Sequence, residues 1–132
     1  MNPDDYVSYP LALALKKHGF DWECDHYWYK AYANSDEMNM RQASADDFNN
    51  DDWDVPHCSA PTLSQAQKWL RDKKKIDIEL RVWFVGDTRE YRPYIMPPKK
   101  HDFIAYPPEK SYEAALSAGI AAALELIEKK GE

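Results

Sequence analysis

Four side chains that could bind a metal or act as nucleophiles fall in two short groups. One group is Cys24 and His26, and the other is His57 and Cys58. Two thiols and two imidazoles form a ligand set that zinc accepts. No standard zinc motif pairs a Cys-x-His with an adjacent His-Cys, so these residues are metal candidates by type and not by spacing. The spacing favours a core position for Cys24, a loop position for His57 and Cys58, and no metal or other cofactor.

Catalytic signatures are equally sparse. In a strand, Cys24 and His26 would share one face, which is the geometry that a Cys–His nucleophile pair needs. A buried cysteine beside a hydrogen-bonded histidine explains the same pattern. The chain has four glycines and neither a G-x-S-x-G motif nor a glycine-rich phosphate loop. We therefore predict a protein that is not an enzyme and has no catalytic residues.

Acidic residues concentrate in the segment 36–54, where Arg41 is the only base, in a chain of formal net charge −6. Carboxylates are the ligands that Ca²⁺ prefers. The EF-hand order is absent, however, and no glycine occurs between Gly19 and Gly86. The segment 34–61 is therefore predicted to be a long acidic loop without a cation site.

The composition indicates one folded domain over residues 1–132. Hydrophobic residues make up 44% of the 132 residues and charged residues 30%, which is enough apolar material for a single core. No apolar run reaches the length of a membrane span, and the first residues do not resemble a signal peptide. Two cysteines do not form a disulfide framework. We expect a soluble, cytoplasmic protein without a membrane partner.

Capping signals predict where the helices begin and end. Ser8 is a candidate N-cap for a helix over 9–18, and Gly19 follows as its stop. Thr62 and Gln65 match the capping box of a second helix. Ser111 precedes a long helix over 112–130, whose apolar stripe contains several Ala and one Gly.

Strands are predicted between these helices. The segment 22–33 is rich in Trp and Tyr, and the segment 76–85 alternates with a period of two. That alternation assigns Ile76, Ile78, Leu80, Val82 and Phe84 to the core. A turn at Gly86-Asp87 leads into a strand over 89–96, in which Pro93 indicates an edge or a bulge, and a short strand over 103–106 follows. The fold class is therefore α+β, a single domain with one antiparallel sheet of three to four strands and the second and last helices on one face.

Three separated motifs also resemble a family. Residues 15–20 read LKKHGF, residues 60–71 contain APT, a Gln and WLR, and residues 112–124 read YEAALSAGIAAAL. In this order they resemble the pattern LKKxGF, APTxxQxxxWLR, YEEAxxAGIxxAL of an uncharacterised family of short phage and gut-bacterial mobile-element proteins. The resemblance implies an α+β fold and implies no activity or catalytic residues. The acidic segment 36–54 looks like an insertion relative to that pattern.

Two kinds of partner fit the remaining surface signals. The outer face of the strand over 76–85 presents Arg81 and Trp83, residue types that are enriched at protein interfaces. We therefore predict an accessory protein that acts by protein–protein contact, with a foreign partner or with itself as a homodimer. The alternative is a nucleic-acid-binding accessory protein. It would use the basic helix end over 68–75, including Lys68 and Arg71, with Trp83 and Tyr94 stacking on bases.

Overall fold

The computed structural model of the protein describes residues 3–30, 38–42, 57–100 and 102–130. The chain divides into two compact units, Met1–Thr62 and Leu63–Glu132. Helices and antiparallel strands occur in both units, which confirms the α+β class. The described strands form antiparallel sheets of three strands, within the predicted three to four, but there are two such sheets where one was predicted.

The first unit begins with a 3₁₀ turn, Pro3–Asp5, and helix α1, Tyr9–Lys17. The Ser8 side chain accepts a hydrogen bond from the Leu11 amide at 3.4 Å, as predicted for an N-cap. Gly19 follows the helix with φ +95°, a conformation that residues with a Cβ adopt only at a cost. Both ends of α1 are therefore set by local sequence.

The sheet of this unit consists of β1 (His26–Lys30), β2 (Met38–Gln42) and β3 (His57–Ser59). The strand order is β2-β1-β3, and both pairings are antiparallel. In this register Trp28 lies opposite Cys58. The Trp28 indole Nε1 donates to the carbonyl of Val7 at 3.1 Å, which ties the sheet to the segment before α1.

Two expectations for this region need correction. The strand predicted over 22–33 begins only at His26, so Trp22 and Cys24 lie before it. The segment 34–61, predicted as a loop, contains β2 and β3, so His57 and Cys58 lie in a strand. Both strands are short and contain no Val, Ile, Thr or aromatic residue, so intrinsic β-propensity gives no signal for them. The rest of the acidic segment lies outside the described residues.

The second unit contains helices α2 (Leu63–Lys74) and α3 (Tyr112–Lys130). Helix α2 begins directly after the predicted capping residue Thr62, and α3 has the predicted bounds. The Ser111 hydroxyl accepts from the Ala114 amide at 3.0 Å and so caps α3 as predicted. Trp69 and Leu70 are buried on α2.

The second sheet has the order β4-β5-β6, with β4 at Asp77–Val85, β5 at Thr88–Met96 and β6 at Ile104–Ala105. Gly86 and Asp87 form the predicted two-residue turn of the β4–β5 hairpin, and Gly86 has φ +62°. Positive φ is the requirement of the turns that fit the twist of a hairpin.

Pro93 lies in the central strand of this sheet, and the pairing with β4 continues through it without a bulge, so the prediction of an edge strand or a bulge is wrong. The Pro93 carbonyl accepts from the Tyr106 amide at 3.0 Å and therefore points away from β4. The nitrogen of a strand residue points to the same side as its carbonyl. The Pro93 nitrogen, which has no hydrogen to donate, therefore faces the end of the short strand β6. The proline thus costs no hydrogen bond between β4 and β5.

One face of the β4–β5 hairpin packs against α3 near its middle. A Cβ at Gly119 would lie 2.9 Å from Ile78 Cγ2 and 3.6 Å from Ile95 Cδ1, so helix and sheet approach closely at this glycine. The same helix begins at Tyr112, whose ring packs edge-on against Tyr91 at 5.7 Å. Phe84 lies further along the hairpin than Tyr91, beyond the first residue of α3.

The length of α3 explains why the predicted core assignment of Val82 and Phe84 is wrong. Val82 is 44% exposed and Phe84 is 66% exposed, whereas Ile78 on the same face is buried. Val82 lies opposite Tyr91, where the helix begins. Apolar residues occupy every second position of the strand from Ile78 to Phe84, but the helix covers only its first half.

Candidate functional site

The two cysteines lie in the first unit and are both buried and free. The Cys24 thiol donates to the carbonyl of Trp22 at 3.4 Å. Burial raises the pKa of Cys24 to about 12, against a smaller lowering by a hydrogen bond with Ser59. Burial raises the pKa of Cys58 to about 11, with a smaller opposing effect of Lys16. Both thiols are thus protonated at neutral pH, whereas nucleophiles and metal ligands are thiolates.

Of the two histidines in the candidate metal set, His26 packs against an aromatic ring of the first unit. The His26 ring packs edge-on against Tyr6 at 4.9 Å, and its buried Nδ1 has no hydrogen-bond partner. The side chain of His57 lies outside the described residues, as do the acidic residues of 43–56. Within the described ranges, no three His, Cys, Asp or Glu side chains converge in the manner of a metal site. The described contacts favour a core role for Cys24 and Cys58.

The most unusual surface of the second unit is the far end of the β4–β5 hairpin. Every residue from 81 to 89 is exposed, and we call this segment the distal hairpin. It carries four consecutive large apolar side chains, whose exposed fractions are 44% for Val82, 39% for Trp83, 66% for Phe84 and 52% for Val85. Neighbouring side chains of a strand point to opposite faces, so apolar groups project from both faces of the distal hairpin.

Arginine and aromatic side chains alternate on the face opposite α3. The Arg81 guanidinium carbon lies 4.2 Å from the ring centre of Tyr94, and the Arg92 guanidinium carbon lies 4.7 Å from that of Trp83. Arg81 also lies 5.8 Å from the ring of Phe103. These distances are typical of cation–π contacts. The structure therefore brings Arg81, Trp83 and Tyr94 together on one surface.

The charge of this surface is partly balanced. Arg81 Nε donates to Glu79 Oε1 at 2.8 Å. This hydrogen bond raises the pKa of Arg81, which stays a cation at all ordinary pH values. Glu90 lies opposite Trp83 in the register of the hairpin. Acidic residues thus accompany the arginines, and the surface combines aromatic area with oriented cations.

Lys68 and Arg71 belong to a different element. Both are exposed on α2, and Arg71 Nε lies 3.6 Å from Asp72 Oδ1. Pairs of this kind between exposed side chains stabilise a protein little. The candidate residues for nucleic-acid binding are thus divided between α2 and the sheet. The candidate residues for a protein partner, Arg81 and Trp83, both lie in the distal hairpin.

Sequence reasoning missed Val82 and Phe84 as surface residues and Arg92 as a partner of Trp83. The run Val82-Trp83-Phe84-Val85 was a usable signal, because a strand with one buried face alternates and does not place four large apolar residues in succession. Such a run predicts a strand with apolar groups on both faces. The position of Arg92 beside Trp83 depends on the register, which the two-residue turn fixes.

The described helices include none that is both long enough and apolar enough to cross a membrane. No protein-family model, no curated protein and no solved structure matches the chain significantly.

Proposed function

We propose that this protein acts by binding another protein through the distal hairpin, and not by catalysis. The observation that carries the proposal is the exposure of Val82, Trp83, Phe84 and Val85 on a strand at the edge of a sheet. An exposed apolar edge strand invites association, and proteins usually cover or charge such strands. Here the apolar run lies exposed on the described surface, which is expected of a surface that a partner covers.

The side chains beside this run support the proposal. Trp and Arg are the residue types most often found as energetic hot spots of protein interfaces. The stacking of Arg92 on Trp83 and of Arg81 on Tyr94 restricts these long side chains before a partner arrives. Restricted side chains lose less entropy on binding, so more of the contact energy contributes to affinity. The resemblance to short phage and mobile-element proteins favours an accessory role in such an element.

Affinity capture with matched variants tests the proposal. The baits are the wild-type protein, the double variant Arg81→Ala/Trp83→Ala, and the control Lys68→Ala/Arg71→Ala on α2. Each bait is incubated with an extract of cells that naturally make the protein, and retained proteins are quantified by mass spectrometry. We expect the wild-type and control baits to retain the same partner and the Arg81→Ala/Trp83→Ala bait to lose it. Equal retention by all three folded baits would refute the distal hairpin as the binding surface.

Nucleic-acid binding is the second candidate, favoured by the Arg–aromatic alternation on the open sheet face. Exposed aromatic rings on a sheet stack on bases, and neighbouring cations contact phosphates. This candidate predicts binding of labelled single- or double-stranded oligonucleotides with an affinity that falls steeply as salt rises. It also predicts that Lys68→Ala/Arg71→Ala weakens that binding. An absence of binding to any oligonucleotide at low salt would eliminate this candidate.

A further inference from the structure

Strand β4 has one side that the described residues leave open. It lies at the end of the order β4-β5-β6, so within the described part of the chain only β5 pairs with it. The pairing with β5 runs without interruption from Asp77 opposite Met96 to Val85 opposite Thr88. The opposite side of a nine-residue strand is thus available to another strand.

The alternation of an antiparallel ladder identifies which backbone groups face the open side. Pro93 directs its carbonyl to Tyr106, so Pro93 and Leu80 form a pair without mutual hydrogen bonds. The N–H and C=O of Leu80 therefore point away from β5. The Ile78 carbonyl points the same way, because it accepts from Gln67 Nε2 of α2 at 2.9 Å. This contact verifies the alternation independently.

The Ile78 carbonyl is occupied by Gln67 of α2, and three further residues face the open side of β4. Leu80, Val82 and Phe84 share the orientation of Ile78, since they follow it at intervals of two. None of their backbone groups makes a hydrogen bond with any other described residue. Together they present three amide donors and three carbonyl acceptors, flanked by exposed apolar side chains. This is the pattern that an added strand recognises.

We infer that the strand added to this side is β4 of a second copy, antiparallel, with Val82 opposite Val82. The inference rests on the proposed function and names its partner. In this register Leu80 of each copy pairs with Phe84 of the other, so the three open residues satisfy one another completely. Arg81 of each copy lies opposite Trp83 of the other on the face that carries the Arg–aromatic contacts. The product is a continuous six-stranded sheet with two-fold symmetry.

Other antiparallel registers of the same strand fit less well. A register centred on Leu80 needs the Ile78 carbonyl, which Gln67 already occupies. A register centred on Arg81 places two guanidinium groups opposite each other, and like charges in that position are destabilising. A register centred on Trp83 pairs Leu80 with Gly86, whose φ of +62° belongs to the turn and not to a strand.

Charged substitutions of Val82 test the symmetry of this register. In the inferred dimer, Val82→Lys places two ammonium groups opposite each other, and Val82→Glu places two carboxylates opposite each other. We expect each variant to self-associate at least about tenfold more weakly than the wild type in sedimentation-velocity titrations. An equimolar mixture of the two variants should recover association, because Lys then lies opposite Glu. The matched controls Ser64→Lys and Ser64→Glu, at an exposed position of α2, should self-associate like the wild type.

Amide exchange of the wild-type protein gives a second readout that needs no substitution. As concentration rises, the amides of Leu80, Val82 and Phe84 should become protected, whereas those of Arg81 and Trp83 already donate within the hairpin. A wild-type protein that stays monomeric at about 0.5 mM would refute the inference, since even weak interfaces are populated there. Failure of the Lys and Glu variants to recover association when mixed would refute the register. Neither failure decides the proposed function, because the Arg81→Ala/Trp83→Ala bait reports the loss of any captured protein, whether a second copy or a different chain.

Discussion

Substitution of Phe84 separates a binding role from a folding role. Phe84 is 66% exposed, so Phe84→Ala removes little buried surface from the folded protein. The free energy of unfolding should change by less than about 0.5 kcal/mol, as for most surface substitutions. A Phe side chain offers up to about 200 Å², so about 130 Å² remains to be buried by a partner, equivalent to about 3 kcal/mol. Incomplete burial reduces this value, and we expect affinity to fall about 10- to 100-fold.

The assay combines urea unfolding with a binding titration on the same preparations. Ile95→Ala is the control, because Ile95 is fully buried and the substitution should cost about 2–5 kcal/mol of unfolding free energy. Association is measured by sedimentation velocity for self-association and by fluorescence anisotropy for a captured partner. If Phe84→Ala loses as much stability as Ile95→Ala, or binds as tightly as the wild type, Phe84 is not a binding residue of an exposed surface.

Three further predictions concern packing, titration and capping. Gly119→Ala should lower the unfolding free energy by about 1–3 kcal/mol, because its Cβ would lie 2.9 Å from Ile78 Cγ2; an unchanged urea midpoint would contradict the close packing of α3. Burial raises the pKa of Cys24 from 9.0 to about 12 and that of Cys58 from 9.0 to about 11. Above pH 9 the folded protein therefore holds protons on these thiols that the unfolded chain has lost. The free energy of unfolding should fall as the pH rises from 9 towards the two raised pKa values. Cys24→Ala/Cys58→Ala should make this fall shallower in urea titrations, and an identical slope would contradict the assignment. Ser111→Ala should cost about 1 kcal/mol by thermal unfolding, and no loss would show that the cap is dispensable.

Local signals of the sequence were sufficient where a structural element is set by its own residues. Ser8, Gly19 and Ser111 define helix ends through hydrogen bonds and dihedral angles within a few residues. The Gly86-Asp87 turn likewise fixes the register of the β4–β5 hairpin. These features depend on no distant part of the chain, so the pattern alone predicted them.

Features that depend on distant residues were not predictable in the same way. Strands β2 and β3 are defined by their pairing with β1, from which β3 is far removed in sequence, and their own residues have no β signal. Pro93 fits a central strand only because its nitrogen faces Tyr106 beyond the end of β6. The exposure of Phe84 follows from where α3 begins relative to the hairpin. Periodicity identifies the two faces of a strand, but it does not show how far a neighbouring helix covers them.

Photo-cross-linking in living cells tests most directly whether the distal hairpin binds a protein. Benzoylphenylalanine replaces Phe84 in one variant and Lys73, an exposed residue of α2, in the control. We expect one discrete cross-linked product for the Phe84 variant, absent from the control, and a product of twice the mass of the chain identifies a second copy as the partner. No product at Phe84, or the same products at both positions, would show that the distal hairpin is not a protein-binding surface.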